Sequence, residues 1–148
     1  MRTATPPPPD NDPVGLALKE VGDRWTFLVL REAFYGVRRF GHMQRNLGIS
    51  RTVLTSRLKR LVADGILERR QYRTDPPWFE YRLTPKGLDL YPAIVALLTW
   101  GESHVHSGDA AAVVLRHEPC GNDPDPILVC RRCGQLVDAH NTTAHARI

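Results

Sequence analysis

Two sets of side chains in this 148-residue sequence have the types and spacing to do chemistry. The first is His117-x2-Cys120, followed after nine residues by Cys130-x2-Cys133. Imidazole and thiol ligands on two short knuckles suit tetrahedral Zn²⁺. Gly121 and Gly134, each directly after a cysteine, permit the tight turns that aim backbone amides at the sulfurs. The alternative is a segment without metal that packs on the rest of the chain, with Cys130 and Cys133 as free thiols or a disulfide. A thiol-based switch also stays open, but no βαβ unit surrounds the Cys-x-x-Cys pair, so a thioredoxin-type role is disfavoured. The remaining histidines read as surface residues.

The second set is Ser50, Arg51, Thr52, Thr55, Ser56, Lys59 and Arg60, flanked by Arg38 and Arg39 before it and by Arg69, Arg70 and Arg73 after it. Between residues 38 and 73 ten Lys or Arg stand against Asp64 and Glu68, so this stretch carries +8 while the whole chain carries +4. Such a block attracts polyanions, and counterions released from DNA add to affinity. A solvated basic face is the bland reading, and charge alone does not exclude it.

These residues need elements to hold them. Ser50 caps a predicted helix that runs to about Ala63 and is ended by Asp64-Gly65. At about 100° per residue, Leu54, Leu58, Leu61 and Val62 gather on one stripe, and Thr52, Thr55, Ser56 and Lys59 on another. A shorter helix, Arg39 to Asn46, precedes it across the Leu47-Gly48-Ile49 turn. This order predicts a helix-turn-helix whose second helix enters a DNA major groove. Short hydroxyl side chains allow close approach to base edges, and Arg51 has the reach for a guanine; Arg57 and Arg60 fall on a flank suited to phosphates. Ile66 to Arg73 and Trp78 to Leu83, joined at Asp75-Pro76-Pro77, predict a β-hairpin with Arg69, Arg70 and Arg73 toward its tip.

Upstream, Val14 to Val21 and Arg24 to Tyr35 read as helices, with Asp23 as a cap and Gly36 as a stop. Thr84-Pro85 starts a further helix expected to run to about His106. The expected organisation is therefore an extended or disordered Pro-rich arm (1–13), a mainly α winged helix-turn-helix domain with a β-hairpin wing (14–106), and a small Cys-containing C-terminal segment (107–148), ribbon-like, with a strand near Ile127-Leu128-Val129. That segment is too small for its own core, so a metal would explain how it folds. The spacing resembles half of a zinc ribbon, with His117 in place of a cysteine. Three cysteines without a signal-peptide core argue against a disulfide scaffold and for the cytoplasm. A phosphate loop, a nucleophile elbow and an HExxH motif are all missing, so the chain does not read as an enzyme.

Several of these residues stand in motifs that resemble the HxlR-type winged helix regulators. They are Val21-Gly22-Asp23-Arg24-Trp25-Thr26, Arg38-Arg39-Phe40, the run Ile49 to Leu58, Leu61 to Leu67, and Glu80-Tyr81-Arg82-Leu83-Thr84-Pro85-Lys86-Gly87. The likeness covers about residues 13 to 104. It implies a homodimeric transcription factor of MarR-like architecture, in which the helix after the hairpin pairs with its twin. Leu88, Tyr91, Ile94, Val95, Leu98 and Trp100 are its candidate interface residues, and more than one side of that helix is apolar. A two-fold dimer would set two recognition helices about 34 Å apart on an imperfect inverted repeat of double-stranded DNA. An unidentified small-molecule effector is a further implied partner. A second function class is a metal- or thiol-dependent sensor in which the C-terminal segment controls DNA binding. Family members often carry Cys-Pro-Val before the first helix, used in some for redox sensing. Here Asp12-Pro13-Val14 replaces it, so that mechanism is not carried over.

Overall fold

A computed structural model describes residues 8–108 and 114–145. The described residues fall into two units, one from Pro8 to Ile94 and one that begins at Val95.

In the first unit, each helix begins where a side chain can take up its free amides. Helix α1 (Pro13–Val21) starts on Asp12, whose carboxylate accepts the Gly15 N–H at 2.9 Å, with Pro13 in the first turn. The segment expected to be an arm is thus partly structured, since Pro9–Asn11 also forms a 3₁₀ turn; residues 1–7 lie outside the described residues. Helix α2 (Arg24–Phe34) starts on Asp23, which accepts from the Trp25 and Thr26 amides. Helix α3 (Phe40–Leu47) ends at Gly48, whose φ of 60° is left-handed and suits glycine. Helix α4 (Arg51–Ala63) starts on Ser50, whose hydroxyl accepts the Val53 N–H at 3.2 Å.

Leu54, Leu58 and Leu61 of α4 are fully buried at a four- and three-residue spacing. They join Val29 and Leu30 of α2, Met43 of α3, and Ile66 and Leu67 in a single core. Burying each such side chain contributes roughly 1.5–3 kcal/mol before entropic costs. This core sets the rotation of α4 about its axis, and so decides which residues face outward.

Strands β1 (Leu67–Thr74) and β2 (Pro77–Leu83) form an antiparallel hairpin in which Leu67 faces Leu83 and Arg69 faces Tyr81, with an irregularity between Gln71 and Arg73. The hairpin is tied down at its root. The Tyr81 N–H donates to the Arg38 carbonyl at 2.8 Å, and the Thr84 N–H donates to the Ile66 carbonyl at 3.1 Å. The Lys86 ammonium donates to the Asp64 carbonyl at 2.7 Å. Gly87 is buried, and a Cβ there would lie 2.3 Å from the Ile66 carbonyl oxygen, so only glycine fits.

The single helix expected from Thr84 to about His106 is two: α5 (Pro85–Leu88) and α6 (Tyr91–His104). Pro92 explains the break. It has no N–H to donate to residue 88, and its ring clashes with a continuous helix there.

In the second unit, residues 114–145 form turns and two isolated antiparallel bridges, His117 with Asn122 and Val129 with Leu136. The strand expected at Ile127-Leu128-Val129 reduces to the second bridge.

Candidate nucleic-acid interface

The polar side of α4 is open. Arg51, Thr52, Ser56 and Lys59 are exposed and Thr55 is half-buried, while the leucines of the same helix are sealed. Arg51, Thr55 and Lys59 form one wall of a groove of about 780 Å³. Arg69, Tyr72, Trp78 and Phe79 of the hairpin line it too, as do Arg39, Phe40 and His42. Val62, placed on the apolar stripe by its spacing, is half-buried and contributes to the groove.

Three arginines of this groove, and Arg73 outside its lining, are held against aromatic rings. The Arg69 guanidinium carbon lies 3.6 Å from the Phe79 ring centre. Arg39 lies over Tyr72 at 4.7 Å, Arg51 over Phe40 at 5.2 Å, and Arg73 over Trp78 at 5.2 Å. A ring beneath a guanidinium fixes the cation's plane without neutralising it, so its N–H groups stay free for an anion. Tyr72, Trp78 and Phe79 were not picked out by sequence. The signal was there in the Arg–aromatic alternation of the hairpin, but it needs the strand register to be read: Arg73 faces Trp78 directly, whereas Arg69 reaches Phe79 across a diagonal.

Other candidates face elsewhere. Ser50 spends its hydroxyl on the helix cap. Arg38 and Arg70 line a second, smaller groove, and Arg70 pairs with Glu68 at 2.8 Å. Arg60 donates to the Lys19 carbonyl of α1 and lies 3.6 Å from Asp64. Arg57, on the expected phosphate flank, is half-buried and donates to Asp23 at 3.0 Å. Two of the basic side chains near α4 thus hold the helix in place instead of presenting free charge.

Partial burial works against ionisation of Asp23. Hydrogen bonds from the Thr26 hydroxyl and amide, the Arg57 charge and the Trp25 amide outweigh it, so the carboxyl sits below its usual range.

After the hairpin, Leu88 of α5 and Tyr91 and Trp100 of α6 are exposed, and Leu98 of α6 is half-buried. Ile94 and Val95 are buried, and Leu97, which the sequence reading passed over, is 54% exposed. In the C-terminal segment, His117 Nδ1 lies 3.3 Å from Cys120 Sγ, and Cys130 stands beside Cys133. The two pairs are not gathered together: the described residues contain no group of three or more His, Cys, Asp or Glu placed to hold one ion.

The HxlR-like helix-turn-helix family matches residues 20–109. This chain belongs to the HxlR family. It is 49% identical over 134 residues to the HTH-type transcriptional regulator Rv3095 of Mycobacterium tuberculosis, covering 90% of this chain and 85% of that one. Among solved structures, PA1607, a candidate transcription factor, superposes with a TM-score of 0.81 at 33% identity, covering 93% of this chain and 96% of that one. The redox regulator HypR in its oxidized form superposes at 0.59 with 33% identity, but covers only 64% of this chain. This HxlR chain therefore carries the winged helix-turn-helix of transcriptional regulators, and its relatives are regulators rather than enzymes.

Proposed function

We propose that this HxlR-family protein regulates transcription as a homodimer that binds an inverted-repeat operator in the cytoplasm. The observation that carries this reading is the division of α4: leucines sealed in the core, and Arg51, Thr52, Ser56 and Lys59 open to solvent beside a basic groove. Thr52, Thr55 and Ser56 have the short side chains that let a helix reach base edges, and Arg51 stands at the helix end where a bidentate contact to guanine is favoured. Arg39, Arg69 and Arg73, each over a ring, suit the phosphates or minor groove beside it.

The exposed Leu88, Tyr91, Leu97 and Trp100 support pairing with a second copy, because apolar side chains this exposed along one stretch favour burial against a partner. No helix among the described residues is long and apolar enough to cross a membrane.

Selection from random duplex DNA at physiological salt tests the reading. We expect enrichment of two related half-sites in inverted orientation, spaced by about one helical turn. Recovery of no consensus, with affinity equal for all duplexes, would sink it. Sedimentation of the free protein should give a dimer that Leu97→Asp converts to monomer, with loss of operator binding.

A further inference from the structure

We infer that residues 117–133 form a tetrahedral zinc site, with His117 Nδ1 and the sulfurs of Cys120, Cys130 and Cys133 as its ligands. This goes beyond the DNA-binding reading and does not rest on it.

The two halves of the site share one backbone design. The Gly121 N–H donates to the His117 carbonyl at 2.8 Å, and the Gly134 N–H donates to the Cys130 carbonyl at 2.8 Å. Both glycines are left-handed, with φ of 72° and 73°. Each turn is flanked by an antiparallel bridge, His117 with Asn122 and Val129 with Leu136. This places ligands three residues apart side by side, with His117 Nδ1 3.3 Å from Cys120 Sγ. Backbone amides also point at the sulfurs. The Asn122 amide is directed at the Cys120 sulfur, and the amides of Arg132 and Cys133 at that of Cys130. Such amides stabilise thiolates, the form that binds metal.

The segment has little else to hold it. Ile127, Leu128, Val129 and Leu136 are all exposed, so no apolar core among the described residues accounts for the paired turns. The two pairs stand apart in this structure. Residues 123–128, which join them, form neither helix nor strand, so the turns can close on one ion without breaking either bridge. Three soft thiolates and one imidazole select zinc over magnesium or calcium. On binding, the three thiols release their protons to solvent and the neutral imidazole donates its lone pair, with no change of oxidation state. The ligands carrying the resulting single negative charge are flanked in sequence by Arg116, Arg131 and Arg132.

The test uses the full chain, purified without chelator in the presence of a reductant. Elemental analysis should give about one zinc per chain. Cys120→Ser and Cys130→Ser should each fall below about a tenth of that. To separate lost ligation from a lost local fold, the unaltered protein is also stripped, reduced and titrated with Co²⁺. A one-to-one endpoint with the visible bands of tetrahedral thiolate–cobalt supports the site. Four results would each overturn it: negligible zinc with no cobalt band, full zinc in Cys120→Ser, half a zinc per chain shared between copies, or a Cys130–Cys133 disulfide in fresh protein, read as a mass two hydrogens lower.

Discussion

The Asp23 carboxylate accepts a hydrogen bond from Arg57 Nε at 3.0 Å, and so joins the start of α2 to the middle of α4. The same oxygen accepts the Trp25 and Thr26 amides. One acidic side chain therefore caps one helix and sets the angle of the helix that carries the polar face. Asp23→Ala should destabilise the domain by about 1–2 kcal/mol, the upper part of the range for a lost cap, measured by urea unfolding. Unchanged stability would show that the junction contributes nothing.

The lowered pKa of Asp23 fixes the pH at which its contribution disappears. Since the folded value lies below the unfolded one, the stabilisation is complete above about pH 4 and fades as pH falls through the folded pKa. The native protein should lose stability more steeply in acid than Asp23→Asn does, while the two curves run parallel near neutrality. Parallel acid limbs would contradict this.

Gly87→Ala should destabilise the first unit by about 2 kcal/mol or more, because the new methyl meets a backbone oxygen rather than a side chain that can turn away. Thermal unfolding checks it. Gly41→Ala, inside α3 with open space around the new Cβ, is the matched control and should be neutral or slightly stabilising.

Thr55→Ala and Lys59→Ala should weaken operator binding with the unfolding midpoint nearly unchanged, because neither side chain belongs to the core. Leu58→Asp should do the reverse, unfolding the domain by placing a carboxylate where only 1% of the residue is exposed. Full operator affinity in both polar variants would mean that another face of α4 reads the DNA.

Arg69 and Arg70 are neighbours on β1 with opposite surroundings: Arg69 lies over Phe79 in the large groove, and Arg70 is paired with Glu68 beside the small one. Arg69→Ala should lower the salt dependence of DNA binding by about one counterion. Arg70→Ala should leave the slope as it is. Equal slopes in both variants would remove the wing from the interface.

The local half of this design was legible in the sequence. Ser50 as a cap, the turn at Gly48 and the leucine stripe of α4 are local features, spanning a few residues, which turn chemistry and periodicity read directly. The α5–α6 break was legible too, in Pro92, but the apolar spacing of Leu88, Tyr91 and Ile94 runs across it and hides it. Arg57 and Arg60 were beyond reach, because Asp23 and the Lys19 carbonyl are 34 and 41 residues away. A basic residue on a helix flank looks the same in sequence whether it meets phosphate or the protein's own acid. The division of the arginines between two grooves likewise depends on which face of the hairpin each occupies.

The bond from the Tyr81 amide to the Arg38 carbonyl has a mechanical consequence. Arg38 stands just ahead of α3, and Thr84 and Lys86 fasten the far end of β2 to the turn after α4. The base of the wing is thus riveted to the chain on both sides of the helix pair, and only its outer end is a free lever. A force that tilted the whole hairpin would have to drag both helices with it, so the spacing between wing and α4 behaves as a fixed gauge, and the tip alone can conform to the duplex it meets.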